Sequence, residues 1–507
     1  MDQSPRPADA EPVSDAPDAG SNPAGPASLR KRVAKGAIWT IAATLARISS
    51  AILILPVLTR LLSPEDFGLM QIAAPFLFFM MIFNDLGMQP ALVLAKNPAD
   101  RLWATAFWTG LAASAVMSLV LILAAPFIAA FYNEPRATPI LQVLALCMLA
   151  GGLMIVPGGW MLREMQFRTL SIVEVTTVTA GILAALAAAL AGWGVWALVV
   201  QQLVMFFLKS AALFILSKAP IRFQYDFSEL KGIMGFSWGM TNVRVVWFLG
   251  RNIDVLIIGR FLGAAALGFY SVAWRIMLMP IEIFSTGLAQ VLIPTLGQIQ
   301  EDKPRLRAAV LRTYRTIAIF TMPAMAGIAA LSVPLTLFIF GEKFAPAAWP
   351  IAALAVHGAV QSLLSAQGPV FMALGRLDVM MRWAIFTVIV LGAFLLVGVN
   401  WGLEGASLAY LAAGLLCAPL NFRSLLKLID GRLGDVARAA GWPALAATLM
   451  GITVYLVSWS LPAGWMHYQV LAVCIPLGAA LYGLGLLLAD RKAFGEVFGL
   501  IKSILSR

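Results

Sequence analysis

The chain has 507 residues, of which 61% are hydrophobic and only 12% charged, and its mean hydropathy is +0.87. That much apolar surface exceeds what a soluble core of this length can hide, whereas lipid solvates it directly, so an integral membrane protein is expected. The formal net charge of +11 is informative through its placement along the chain and does not call for a nucleic-acid partner. Cys147, Cys417 and Cys474 all fall inside apolar runs without paired or metal-ligand spacing, so neither a disulfide nor a zinc site is indicated. With only His357 and His467 in the chain, a histidine-ligated metal or a Ser-His-Asp centre is hard to assemble, and soluble-type catalysis is disfavoured.

In chain order, residues 1–28 are rich in Pro, Ala, Asp and Ser and read as a disordered cytoplasmic tail, because they lack apolar surface to bury. The first apolar run begins at Gly36 and is long enough to span, so it reads as a helix and not as a cleaved signal. Six apolar stretches, 36–58, 67–94, 103–131, 140–162, 172–193 and 195–216, make a first bundle within residues 29–216. A polar cytoplasmic linker follows at 217–231. A second set, 233–262, 269–296, 317–340, 349–374, 383–399 and 406–422, falls within 232–426, and 442–459 and 470–488 add a final pair within 427–490. The members of this final pair are each close to the ~20 residues that cross a ~30 Å hydrocarbon layer. The expected fold class is therefore all-α and integral to the membrane, with about 14 transmembrane helices. In residues 491–507, Phe494, Val497, Phe498, Ile501 and Leu505 recur near helical spacing with basic residues between them, which predicts an amphipathic tail on the cytoplasmic membrane surface.

Sorting Lys and Arg between alternate connections tests the orientation. One side collects Arg30, Lys31, Arg32, Lys35, Lys96, Arg101, Arg163, Arg168, Lys209, Lys218, Arg222, Lys231, the run from Lys303 to Arg315, Arg376, Arg382 and Arg423 to Arg438. The other holds only Arg60, Arg136, Arg260 and Lys343. Positive loops stay inside, so both termini of this multi-pass protein are expected in the cytoplasm.

The segment Arg60-Leu-Leu-Ser-Pro-Glu-Asp-Phe-Gly68 recurs two hundred residues later as Arg260-Phe-Leu-Gly-Ala-Ala-Ala-Leu-Gly268. Gly36-Ala-Ile-Trp39 parallels Gly235-Phe-Ser-Trp238, and Gly87 and Gly287 each follow the paired glycines by nineteen residues. Such a repeat implies two pseudo-symmetric six-helix lobes plus a C-terminal helix pair. Repeats of even helix number keep one orientation, which suits lobes rocking about a central cavity.

Three segments carry a family resemblance. The run from Leu58-Thr-Arg to Phe67-Gly-Leu69, Asn84-Asp-Leu-Gly-Met-Gln-Pro-Ala-Leu92 and Asn252-Ile-Asp-Val-Leu-Ile-Ile-Gly-Arg-Phe-Leu-Gly263 resemble the polysaccharide-transporter family of Wzx-type flippases. The likeness extends over about 32–488. It implies the fold of the MOP superfamily, shared with multidrug MATE exporters and lipid II flippases. It also implies transport of an undecaprenyl-diphosphate-linked oligosaccharide to the periplasmic leaflet for exopolysaccharide, O-antigen or capsule biosynthesis, alongside a polymerase and glycosyltransferases of the same pathway.

An ionisable side chain at bilayer depth costs about 2.5 kcal/mol or more, so those present are functional candidates. Arg47, Arg244, Arg251 and Arg275 lie inside the apolar runs, and guanidinium suits the bidentate recognition of a diphosphate. They are the candidate substrate-binding residues. Asp85, Glu174, Asp254, Glu282 and His357 are candidates for coupling to an H+ or Na+ gradient or for ion pairs. The competing reading is structural: Arg251 and Asp254 are three apart and able to pair, and Glu174 lies near enough to the surface to be solvated. Pro280, Pro294, Pro323 and Pro334 are expected to bend their helices, and Trp103, Tyr132 and Trp349 to anchor at the membrane interface. No cofactor is expected beyond a coupling ion. A membrane enzyme is disfavoured by short, nearly uncharged external connections. A MATE-like small-molecule exporter is the alternative, set against four arginines that point to an anionic cargo.

Overall fold

The computed structural model describes residues 26–85, 87–95, 98–297, 299–462 and 464–489. The two tail expectations, for 1–28 and 491–507, lie outside the described residues, apart from the helix start at Pro26. Within those residues the protein is helical with no strand. The first half comprises α1 (Pro26–Leu61), α2 (Pro64–Asp85), α3 (Met88–Leu94), α4 (Asp100–Tyr132), α5 (Ala137–Leu144), α6 (Leu146–Arg163), α7 (Phe167–Leu190) and α8 (Val195–Leu216). In the second half are α9 (Phe227–Gly297), α10 (Lys303–Ala330), α11 (Ser332–Phe340), α12 (Ala348–Leu364), α13 (Gln367–Ala373), α14 (Leu377–Gly398), α15 (Gly402–Leu428), α16 (Leu433–Ser460) and α17 (His467–Ala489).

Among the described residues ten helical stretches are long and apolar enough to cross a membrane, or eleven when a bent pair is counted as one span. This makes the chain a multi-pass membrane protein. Two of the stretches contain a break. In α9 the backbone leaves the helix at Gly263 (φ 80°, ψ −179°), a region open in practice to glycine alone. Between α14 and α15 a 3₁₀ turn, Val399–Trp401, leads to Gly402 at φ 71°. The bent pair is α10 and α11, which meet at 81°. Pro334 explains this bend: it has no N–H to return to the carbonyl of Ala330, where α10 stops.

Helix boundaries follow the apolar runs most closely where turn residues flank them. Helix α8 occupies the predicted 195–216, whereas α1 starts ten residues before Gly36, and α4 runs for 33 residues, ~50 Å at helical rise and well beyond the hydrocarbon layer. Two interfacial expectations are overturned. Trp103 and Tyr132 are 1% and 2% exposed; Trp103 packs edge-on to Trp160 at 5.1 Å, and Tyr132 lies against Gly259. Only Trp349 is exposed. Aromatic residues at helix ends serve packing as readily as anchoring when another helix passes there.

Within the first half a buried polar knot joins three helices. The Asn84 amide donates to the Met148 carbonyl oxygen at 3.1 Å, and the Ser114 hydroxyl donates to the Asn84 side-chain oxygen. Gly152 makes room for Ser114, whose Oγ would collide with any Cβ at that position. Asn84→Leu is expected to cost about 1 kcal/mol through these lost interhelical bonds, read as a lowered unfolding temperature in detergent with insertion unchanged.

Candidate functional site

The two halves meet along α2 and α9, and their contact begins at the rim where α1 ends. A Cβ at Gly68 would lie 1.7 Å from the carbonyl oxygen of Ala264, and a Cβ at Gly268 would lie 1.9 Å from that of Pro64. Only hydrogen fits at either position, so the two backbones touch directly. The four residues are related by the two-hundred-residue offset of the repeat: 68 meets 264 and 268 meets 64. The arginines obey the same exchange. Arg60 Nη2 donates to the Phe338 carbonyl oxygen in the second half at 3.0 Å. Arg260 Nη1 donates at 2.6 Å to the side-chain oxygen of Asn133, in the first half, with the amide turned to present it. The Arg260 guanidinium also lies 5.6 Å over the ring of Phe131. Phe344 bridges the same rim, with ring centroids 5.7 Å from Phe67 and 6.0 Å from Phe269. Deeper, Phe79 of α2 meets Phe248 of α9 at 5.1 Å. The result is a closed seam between the halves at the Arg60 rim.

Three of the four candidate arginines have described side chains; that of Arg244 lies outside the described residues. Arg251 and Arg275 each stand twelve residues from Gly263 on opposite arms of α9, ~18 Å below the seam along the helices. Arg47 stands fourteen residues before Leu61 on α1, ~21 Å from the same rim. All three are exposed, and among the described residues none makes a hydrogen bond or an ion pair within 4 Å. The pairing of Arg251 with Asp254 therefore does not form, although the two are close enough to interact through space.

Asp254 is instead turned into the helix packing. It is 3% exposed, and its Oδ2 accepts a 2.9 Å hydrogen bond from the Tyr270 hydroxyl on the other arm of α9, while Oδ1 has no partner among the described residues. Tyr270 stacks near Trp274 at 6.2 Å and faces Tyr410 at 6.4 Å, and Trp274 and Tyr410 are 5.3 Å apart. His357 adjoins this cluster edge-on to Tyr410 at 4.8 Å. It is 6% exposed, with Nδ1 unpartnered and its ring set against Gly414, where a Cβ would collide with that nitrogen. Buried polar atoms left unserved are costly, which marks both residues as unlike ordinary packing.

The remaining candidates are scattered. Glu174 of α7 binds Lys209 of α8 at 2.5 Å, each side chain about one-third exposed (34% and 32%), so it is paired and not simply solvated. Glu282 is half-buried on α9 and engaged with a neighbour. The side chain of Asp85 lies outside the described residues. Sequence reasoning missed Tyr270, Tyr410 and Lys209. Tyr270 was recoverable: seven residues past Gly263, it faces Asp254, nine residues before it. Lys209 was assigned to the loop charges although it lies seven residues inside α8.

Solved structures that share this arrangement are transporters. The lipid II flippase MurJ in its inward closed conformation superposes with a TM-score of 0.72 at 14% identity, covering 90% of this chain and 99% of that one. An inward-facing multidrug resistance MATE family transporter of the MOP superfamily gives 0.62 at 15% identity, covering 76% and 94%. The fold is therefore that of the MOP transporters, the class expected from the sequence. Residues 57–349 match the family described as polysaccharide biosynthesis protein, and the chain belongs to that family. Its relatives include the succinoglycan biosynthesis transport protein ExoT of Rhizobium meliloti (strain 1021), 27% identical over 70% of this chain and 72% of that protein. The teichuronic acid biosynthesis protein TuaB of Bacillus subtilis (strain 168) is 26% identical over 90% and 95%. The lipopolysaccharide biosynthesis protein WzxC of Escherichia coli (strain K12) is 23% identical over 80% and 83%. Transport is named for ExoT and for both solved structures, whereas TuaB and WzxC are named for the biosynthesis of a surface polymer.

Because the seam depends on hydrogen at both glycines, Gly68→Val and Gly268→Val are expected to act alike. Each should raise the maleimide reactivity of a thiol placed at Phe248 by about tenfold, the effect of a shift near 1.4 kcal/mol, over the protein with glycine at both positions. The native cysteines are buried and give little background. A response to one substitution and not to the other contradicts the reciprocity.

Proposed function

We propose that the protein is a flippase that carries an undecaprenyl-diphosphate-linked oligosaccharide from the cytoplasmic to the periplasmic leaflet of a bacterial inner membrane, in the synthesis of an exopolysaccharide, O-antigen or capsule. The observation that carries this reading is the set of exposed arginines Arg47, Arg251 and Arg275, unpaired among the described residues, ~18 to ~21 Å along their helices from the seam. Charge at bilayer depth persists where it meets water or a counter-ion. A diphosphate is a fitting counter-ion because the guanidinium fork binds two of its oxygens without losing its proton. A pathway built for cationic drugs would favour acidic walls.

In this reading the halves act as two six-helix lobes with α16 and α17 as an added pair. Dividing α9 at Gly263 and the 377–428 stretch at Gly402, and adding α1 and the bent α10–α11 pair, brings the ten spans to fourteen. Both termini then face the cytoplasm, the Arg60 rim faces the periplasm, and the lobes alternate by opening that rim while closing the other. The polymerase and glycosyltransferases of the pathway are its functional partners. Asp254 is the proposed coupling site: a buried carboxylate with one unserved oxygen is where a proton or sodium ion gains most from binding, and Tyr270, Tyr410 and His357 surround that place.

Arg251→Ala and Arg275→Ala should each lower surface polymer by about tenfold or more, with lipid-linked oligosaccharide accumulating on the inner leaflet. Lysine at either position should recover part of the output, since it keeps the charge and loses the fork. Normal polymer in both alanine variants, together with a fall in drug resistance, would favour a small-molecule exporter. Separately, Asp254→Asn should abolish the dependence of flipping on an imposed proton or sodium gradient in proteoliposomes. An unchanged dependence rules out Asp254 as the coupling site.

A further inference from the structure

A second polar feature lies in the first half, away from the arginines. A crevice of about 350 Å³ opens between α2, α3, α6, α7 and α8, with Asn84, Gln89, Glu174 and Lys209 among its lining. Its floor is kept low by two glycines: a Cβ at Gly151 would come within 2.9 Å of the Asn84 amide nitrogen, and one at Gly158 within 3.1 Å of the Gln89 amide nitrogen. At its outer edge Arg163 Nη1 holds the end of α3 by donating to the carbonyl oxygens of Leu92, Val93 and Ala95 at 3.2, 3.2 and 2.8 Å. The crevice therefore belongs to the half of the molecule opposite the seam, where cargo would enter.

Its chemistry differs from that of the arginine level. Lys209 and Glu174 neutralise each other, and both remain about one-third exposed, so the ammonium has donors and the carboxylate acceptors left for a ligand. Asn84 is held in place by Ser114 and Met148, leaving one amide proton free and its orientation fixed. A wall with balanced charge and fixed donors and acceptors is poorly suited to a phosphate, which Glu174 would repel. It is well suited to a neutral, hydroxyl-rich ring, each hydroxyl of which donates once and accepts twice. The volume lies at the lower end of the range for small-molecule sites. We propose that this crevice is a sugar subsite, in which Asn84, Glu174 and Lys209 bind a pyranose of the cargo's head group. This rests on the flippase reading and extends it by separating recognition of the sugar from recognition of the diphosphate.

The test uses the full-length protein in lipid nanodiscs with Leu170→Cys, a crevice position, as an alkylation reporter. Two ligands are compared: the lipid-linked oligosaccharide that accumulates in cells lacking this gene, and undecaprenyl diphosphate without sugar. Binding of each is followed independently by native mass spectrometry. The sugar-bearing lipid is expected to slow alkylation about tenfold, equivalent to some 1.4 kcal/mol, and the sugar-free lipid to bind without slowing it. Lys209→Met combined with Glu174→Gln should remove the protection and leave binding of the sugar-free lipid unchanged. Equal protection by the sugar-free lipid would make the crevice an anion site, and bound sugar-bearing lipid without protection would place the sugar elsewhere; either overturns the proposal while the flippase reading stands. Failure of both lipids to bind removes the flippase reading and the subsite with it.

Discussion

The arrangement depends on a contact that no side chain makes. At the Arg60 rim two helical backbones touch because Gly68 and Gly268 carry only hydrogen where a Cβ would meet a carbonyl oxygen at under 2 Å. Backbone contact of this kind is short-ranged and geometrically demanding. It is also reciprocal here, so the seam has two equivalent points of closure and a clamp beside each, from Arg60 to Phe338 and from Arg260 to Asn133. These clamps are few hydrogen bonds at an accessible rim, worth about 1 kcal/mol apiece. A seam built this way holds firmly when aligned and releases without a large penalty when the halves tilt.

The same geometry sets the depth of the charged groups. Gly263 turns α9 back on itself at the rim, so residues equidistant from it on the two arms share a level. Arg251 and Arg275, each twelve residues from the break, stand at like distance along the two arms, and Asp254, nine residues before it, accepts a hydrogen bond from Tyr270, seven after it. The first level is exposed and cationic, whereas the second is buried with an oxygen unserved. Apolar burial stabilises the surrounding helices, and these polar groups are departures from it that packing alone does not explain. Under the proposed function, two levels on one hinge give a route by which binding of cargo and binding of an ion bias the same movement.

Hydropathy made the helices legible because lipid requires about twenty apolar residues per crossing, and the offset repeat through Arg60, Gly68, Arg260 and Gly268 made two related halves legible without showing that these residues meet. The consequences of the repeat were less visible. That Gly68 meets Ala264 as well as its own counterpart Gly268, while Gly268 meets Pro64, follows from a two-fold exchange that sequence similarity does not display. Depth was also hard to read. Lys209 looked like loop charge because helix ends are set by tertiary packing, and Tyr132 looked like an interfacial anchor because its place beside Gly259 requires knowing which helix passes there. The ion pair open to Arg251 and Asp254 by their spacing does not form, and the Tyr270 hydroxyl on the returning arm holds the carboxylate instead.

Parting of the seam is the step on which transport turns in this account. The most direct measurement is transbilayer movement of the accumulated lipid-linked oligosaccharide in proteoliposomes containing the Phe79→Cys, Phe248→Cys protein, whose native rings lie 5.1 Å apart. With the disulfide formed, movement should stop, and reduction should restore it within the same vesicles. Movement at an undiminished rate across a fully formed disulfide would contradict the account.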